Sequence, residues 1–223
     1  KVGLDLVTPC SSCYVVLNRA NMRVQGSPGL KGRLNEALSA GVLSYRGTVR
    51  VHHVLDVFAN DIGPEAVKAK VQRSLAGLKV APYYGCQVVR PEPSFDDPEA
   101  PQTLDRLIES LGAEATPFPL KARCCGASLI ISEEELALGL VRKLLESAAG
   151  GGAECIVTVC PLCQTNLDVY QRRVNQRFKT DFHLPVLFLT QLMGLALGVD
   201  EGELGLRSCI VPAEVVLAKC ATR

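Results

Sequence analysis

Ten cysteines lie in 223 residues, and seven of them stand in patterned positions. Cys10 and Cys13 form one C-x-x-C, and Cys160 and Cys163 form another. Between them lie Cys86, after Tyr83-Tyr84-Gly85, and the adjacent pair Cys124-Cys125 followed by Gly126. Cys86 is separated by 37 residues from the adjacent pair, which is separated by 34 from the second C-x-x-C. Five thiols in that order exceed the four donors that close a tetrahedral zinc site. Soft thiolates in this number suit iron–sulfur ligation. Adjacent cysteines make a poor mutual disulfide, but their side chains can reach two neighbouring irons of one cluster. Gly126 is expected to let the backbone approach the inorganic core with no Cβ in the way. A helix starting at each C-x-x-C would add backbone N–H groups that favour negative sulfur.

Two other chemistries compete for these thiols. A thioredoxin-like dithiol would place Cys160 and Cys163 at a helix start after a strand, yet it leaves Cys86, Cys124 and Cys125 unexplained. A zinc site joining Cys10, Cys13, Cys160 and Cys163 must span 146 intervening residues, against about 15 to 20 in compact zinc modules.

Composition narrows the setting. A net charge of +1, with 24 Lys+Arg against 23 Asp+Glu, gives no basic face for duplex nucleic acid. Apolar stretches such as Leu184 to Leu189 fall well short of the ~20 residues of a membrane span. The first residues do not read as a secretory signal. A reducing, cytoplasmic setting is therefore expected, in which clustered cysteines bind metal or do redox chemistry. A chain this long also buries enough surface to fold without cross-links. No G-x-G-x-x-G or G-x-x-x-x-G-K-[ST] supports nucleotide binding.

The elements that must carry the thiols follow from apolar periodicity, which alternates short β-branched runs with amphipathic stretches, the pattern of α/β architecture. Strands are expected at residues 4–8, 49–53, 79–84 and 155–159, and helices at 30–43, 64–78, 103–111 and about 164–178. Another helix is expected to be capped by Ser132 ahead of Glu133-Glu134-Glu135. Residues 90–98, rich in proline and acid, read as a loop, and Gly150-Gly151-Gly152 reads as a turn. The sequence also echoes itself. Asp5 to Leu17 aligns with Cys155 to Leu167, and Val51 to Phe58 with Val186 to Met193. Two copies of one unit are inferred, residues 1–78 and 79–223, the first lacking its front half.

Tyr84-Gly85-Cys86-Gln87, Cys124-Cys125-Gly126-Ala127 and Cys160-Pro161-Leu162-Cys163-Gln164-Thr165-Asn166-Leu167-Asp168 together resemble the cysteine-rich CCG domain of the heterodisulfide reductase B subunit. The resemblance covers nearly the whole chain, with the full motif in residues 80–223. It implies two repeated α/β units with short, largely parallel sheets flanked by helices. It further implies that Cys86, Cys124, Cys125, Cys160 and Cys163 ligate a noncubane [4Fe-4S] cluster through which catalysis runs. Cys10 and Cys13 match the closing C-x-x-C of a first motif. Repeat periodicity puts that motif's other three cysteines before Lys1, the earliest roughly 75 residues before Cys10. The 223 residues then read as the last three-quarters of a longer protein. The implied partners are the iron–sulfur C and flavin-containing A proteins of a heterodisulfide reductase-type complex. The implied substrate is the disulfide of coenzymes M and B, with methanogenesis as a possible setting. Related complexes that oxidise lactate, glycolate or succinate carry similar electron-transfer proteins and give the alternative reading.

Smaller expectations attach to nearby residues. Gln164, Thr165 and Asn166 would donate hydrogen bonds to cluster sulfur or orient the following helix. Lys121 and Arg123 would lie in a solvated loop, or else offset cluster charge and attract an anionic sulfonate or phosphate. His52 and His53 would end a strand, one exposed and one buried. Cys155, Cys209 and Cys220 are read as buried or incidental thiols.

Overall fold

A computed structural model describes residues 4–90 and 94–220. The chain begins with strand β1 (Leu6–Thr8), helices α1 (Ser11–Gln25) and α2 (Pro28–Ser39), and strand β2 (Val51–His53). Helix α3 (Val54–Asp56), a π-helical turn (Val57–Ile62) and α4 (Pro64–Lys68) lead to β3 (Lys79–Tyr83). Then come α5 (Thr103–Ser110), β4 (Glu114–Ala115), α6 (Glu134–Gly150), β5 (Cys155–Thr158), α7 (Pro161–Val169), α8 (Gln171–Phe178), β6 (Val186–Phe188), α9 (Leu189–Ala196) and α10 (Glu214–Cys220).

Among the described residues all strand pairings are parallel. β1 and β2 form one small sheet, and the other four strands form a second in the order β4-β3-β5-β6. Parallel strands covered on both faces carry continuous apolar runs, and β5 and β6 are buried at every residue. Successive side chains go to opposite faces. Val80, Val157 and Leu187 pack with α5 and α9, while Ala81, Ile156 and Val186 pack with α6, α7 and α8. Helix α6 fits this role because Ala137, Leu138, Val141, Leu144, Leu145 and Ala148 form one buried stripe.

The internal echo survives in the backbone. In the first sheet Leu6 pairs with Val51 and Thr8 with His53. In the second, their aligned counterparts pair in the same register, Ile156 with Val186 and Thr158 with Phe188. Both pairs then run directly into a helix.

Several expected boundaries move for visible reasons. Helix α4 stops at Lys68 because the N–H groups of Gln72 and Arg73 go to the Ala196 carbonyl, not to carbonyls of their own helix. The helix expected over 164–178 begins at Pro161, where proline suits a first turn, and breaks at Tyr170. At the break the buried Gln171 side chain donates to the Leu167 and Leu184 carbonyls and accepts from Leu184 N–H. Ser132 is not the cap of α6: Glu133 holds that place with no side-chain cap, after a turn closed by Glu133 N–H on the Leu129 carbonyl. Helix α2 spans Pro28–Ser39, with the Ser27 hydroxyl accepting from Leu30 N–H. β4 is a two-residue edge too short to leave a periodic signal, and β6 is visible in the sequence only as the counterpart of Val51–His53. Residues 91–93 of the proline-rich loop lie outside the described residues.

His53 joins the two sheets. It is fully buried, its Nδ1 accepts from Leu55 N–H, and its Nε2 therefore donates to the Val159 carbonyl at 3.1 Å. His52 is half-buried between Asp5 and Asp56. Burial holds the His53 imidazole down at about 4, against the opposing pull of the Val159 carbonyl. The unfolded chain takes up this proton near 6.5, so the neutral ring stabilises the fold above that pH. The contribution, about 3 kcal/mol, is lost as pH falls toward 4. Denaturant midpoints at pH 7.5 and 4.5 should therefore differ in the wild type, and the difference should shrink in His53→Gln.

Candidate iron–sulfur site

Cys86 and Cys160 sit just past the ends of parallel strands. Cys86 lies in the turn after β3. Cys160, the residue before α7, follows β5, and Cys163 lies in the first turn of α7. Cys124 and Cys125 occupy the long loop between β4 and α6. Because β3 and β5 pair from Val80↔Cys155 to Tyr83↔Thr158, their carboxyl ends lie side by side, the usual place for ligands in parallel sheets. The five thiols line one cavity of about 70 Å³, together with Tyr84, Gly85, Gln87 and Ser128. All ten cysteines are free.

The sulfurs are in close contact. Cys125 Sγ and Cys163 Sγ are 3.5 Å apart, and Gly126 N–H donates to Cys124 Sγ at 3.3 Å. Hydrogen bonding to Cys163 brings the Cys160 thiol down to about 5, aided by the N–H groups of Cys163, Leu162 and Ser12 and opposed by burial. The Cys163 hydrogen bond likewise lowers Cys125, to about 7. Cys163 itself is pushed up by its hydrogen bonding with Cys125 and Cys160 and by burial. Burial and the neighbouring Cys124 raise Cys86 to about 11. Protons are thus shared among the thiols, and binding of a metal would displace them.

Two glycines have different roles. Gly85 has φ of +71°, and a Cβ there would lie 3.3 Å from Cys163 Sγ. The expectation for Gly126 is corrected: with φ of +82°, its missing Cβ would meet Ala137 Cα and Leu140 Cδ1 of α6, each at 3.1 Å. The close approach to the thiols is made at Gly85, for which the sequence offers only the turn marked by Tyr83-Tyr84-Gly85.

The residues after Cys163 also separate. Gln164 turns away from the thiols, donating to the Val186 carbonyl and Gln191 Oε1, and Thr165 is exposed outside the cavity. Asn166 is buried and donates to the Cys125 carbonyl at 2.8 Å, so it holds the backbone of a thiol and not a sulfur. Lys121 is not in a solvated loop: it forms a half-buried pair with Asp105 at 2.9 Å. Arg123 is exposed and borders a neighbouring cavity of about 410 Å³ with Arg90 and Lys143, on the flank of Cys86 and Cys124.

Cys10 and Cys13 stand at the start of α1, and neither lines the five-thiol cavity, although Ser11 and Ser12 between them do. Ser12 Oγ donates to Gln87 Oε1 at 2.6 Å, and Cys10 packs on the same core as Cys125, Cys160 and Cys163. Cys155 and Cys220 are buried in the opposite core, and Cys209 is half-buried, all three away from the cavity.

A cysteine-rich domain model, CCG, matches residues 80–168. The chain is 35% identical over 223 residues to the B subunit of the ferredoxin/F420H2-dependent CoB–CoM heterodisulfide reductase of Methanosarcina acetivorans, covering 98% of this chain and 74% of that protein. The chain belongs to the heterodisulfide reductase B-subunit family. It is also 37% identical to the 8-methylmenaquinol:fumarate reductase membrane anchor subunit of Wolinella succinogenes, over 96% of this chain and 74% of the relative. A protein of Archaeoglobus profundus described as like the heterodisulfide reductase B subunit is 33% identical, over 97% and 74%. The crystal structure of a hypothetical protein from Helicobacter pylori shares the fold, with a TM-score of 0.72 at 16% identity. The match covers 95% of this chain and 39% of that one.

The donor chemistry fits a polynuclear cluster. Five soft thiols border one cavity, Gly85 leaves room beside Cys163, and N–H groups already face sulfur. Among the described residues no three His, Cys, Asp or Glu side chains are grouped so as to hold a single metal ion. Gly85→Ala should strain the turn by about 1–2 kcal/mol and crowd Cys163, lowering iron content more than stability. Gly126→Ala should strike α6 and lower the melting temperature most. Iron assay and thermal denaturation of the two variants check this.

Proposed function

We propose that this chain is the iron–sulfur subunit of a heterodisulfide reductase-type complex that reduces a disulfide to two thiols. The observation that carries the reading is the convergence of Cys86, Cys124, Cys125, Cys160 and Cys163 on one cavity at the carboxyl ends of paired strands. These five would hold a noncubane [4Fe-4S] cluster, and when bound it would supply electrons one at a time and a Lewis-acidic surface for sulfur. The chain's own groups hold the thiols in place. Asn166 fixes the Cys125 carbonyl, Tyr83 OH donates to the Arg123 carbonyl at 2.7 Å beside the adjacent pair, and the start of α7 directs N–H groups at Cys160. Cys10 and Cys13 would belong to a second cluster completed by residues outside this sequence. Partners corresponding to the flavin-containing A and iron–sulfur C proteins would deliver the electrons. No helix among the described residues is long and apolar enough to cross a membrane.

A second reading is favoured by the relative named as a fumarate reductase subunit: the same thiol array would pass electrons within a complex whose substrate chemistry lies elsewhere. Disulfide reduction with a reduced carrier, run beside electron transfer without a disulfide, separates the two.

Anaerobic purification with iron, sulfide and zinc analysis and EPR tests the cluster. About four irons and four sulfides per chain are expected at the complete site. Cys125→Ala should abolish assembly. Zinc alone in a colourless protein, or a fully loaded Cys125→Ala variant, would refute the assignment.

A further inference from the structure

Cys86 and the Cys124-Cys125 pair come from segments about 40 residues apart, and the ladder does not join them. β4 pairs with β3 only at Lys79 and Val80. In a parallel strand alternate residues direct their N–H to the same neighbour. Val80 uses the β4 side, through its carbonyl and Thr116 N–H. Pro82 falls on that side as well and has no N–H to give. The ladder has ended there, so a proline is tolerated inside an otherwise buried strand.

Beyond Pro82, Lys121 takes the place of β4. Its carbonyl accepts from both Tyr84 N–H and Gly85 N–H at 3.0 Å. Its ammonium meets Asp105 Oδ1 at 2.9 Å and lies 5.5 Å from the centre of the Tyr84 ring. The circuit closes through Tyr84, whose hydroxyl donates to Asp105 Oδ2 at 2.5 Å and accepts from Leu104 N–H at 2.7 Å. One residue therefore ties the turn before Cys86 to the loop before Cys124-Cys125 by backbone and side chain together, and anchors both to the start of α5.

We propose that Lys121, Asp105 and Tyr84 form a clamp that sets the spacing between Cys86 and the Cys124-Cys125 pair, and are positioning residues for the cluster. The inference rests on the iron–sulfur reading of those thiols. A cluster accepts ligands at fixed separations, so two loops free to drift would pay an ordering cost at each assembly. Residues that orient metal ligands typically account for about 10- to 100-fold in metal affinity.

The test is anaerobic reconstitution of the full chain with limiting iron and sulfide, scored by iron content, EPR line shape and midpoint potential. Wild type, Lys121→Met, Lys121→Arg and Tyr84→Phe are compared. Lys121→Met leaves Asp105 without its cation, and iron occupancy at limiting iron should fall about 10-fold. Lys121→Arg keeps the pair and should restore most of it. Tyr84→Phe keeps the ring and removes only the hydroxyl. It should fold as the wild type does by circular dichroism, yet shift the EPR line shape and the potential. If Lys121→Met fails to fold, Tyr84→Phe and Lys121→Arg decide. Wild-type occupancy, line shape and potential in Tyr84→Phe would overturn the clamp. A wild type that takes up no iron would instead overturn the reading beneath it.

Discussion

The pairing of β3 with β5 is the constraint on which the rest depends. Four residue pairs, Val80↔Cys155 to Tyr83↔Thr158, align two buried strands whose chains leave the sheet at the same edge. Cys86 leaves one of them three residues after its last residue, and Cys160 leaves the other two residues after. A one-residue slip would turn each apolar side chain to the other face, and both faces are filled, one by α5 and α9 and the other by α6, α7 and α8. The apolar core, to which Cys125, Cys160 and Cys163 themselves belong, therefore fixes where the thiols emerge.

Holding several sulfurs together at the end of a dry sheet opposes their ionisation. Burial raises Cys86, hydrogen bonding with Cys125 and Cys160 followed by burial raises Cys163, and neighbouring sulfurs repel one another once charged. Donors at the rim work against this. Cys160 precedes a helix whose first N–H groups point at it, Gly126 N–H reaches Cys124, and Cys163 hydrogen-bonds with Cys125 and Cys160. Tyr83 lies among the same sulfurs, and desolvation together with Cys163 and Cys125 keeps its phenol protonated as a donor. Such a set is costly as bare thiolates and much less so around a cationic core.

What the sequence conveyed depended on how local the cause was. Strands β3 and β5 were legible because both-face burial writes continuous apolar runs; β1 and β2, exposed or half-buried except at Thr8 and His53, were legible from their short apolar runs, and the echo of residues 5–17 in 155–167 anticipated a shared register. That Cys86, Cys124, Cys125, Cys160 and Cys163 belong together was read from their order and the family resemblance it carries. Features imposed by distant partners were not. Helix α4 ends where the Ala196 carbonyl captures two N–H groups, and the break at Tyr170 is held by Gln171 reaching Leu184. Gly126 looked like a residue beside the cluster because it follows the cysteine pair, yet its constraint comes from α6. Lys121 looked like a loop cation because nothing near it in sequence announces Asp105, sixteen residues earlier, as its partner.

The two C-x-x-C turns show how far local geometry reaches. Cys10 has φ, ψ of −139°, 121° and Cys160 has −135°, 121°, each just before a helix and after a parallel strand. The backbone is thus the same to within a few degrees, and so is the strand register behind it. The environments differ: Cys160 and Cys163 are buried, whereas Cys10 is half-buried and Cys13 exposed. The difference lies in what adjoins the strand. β5 has β3 on its far side, bringing Cys86 and, through the loop that β3 holds, Cys124 and Cys125. Among the described residues β1 pairs only with β2. A C-x-x-C turn supplies two well-aimed sulfurs and a helix N-terminus, but the dry, many-sulfur setting needed for a cluster comes from the adjoining strand. Chemistry at either pair is a property of the sheet as a whole and not of the motif.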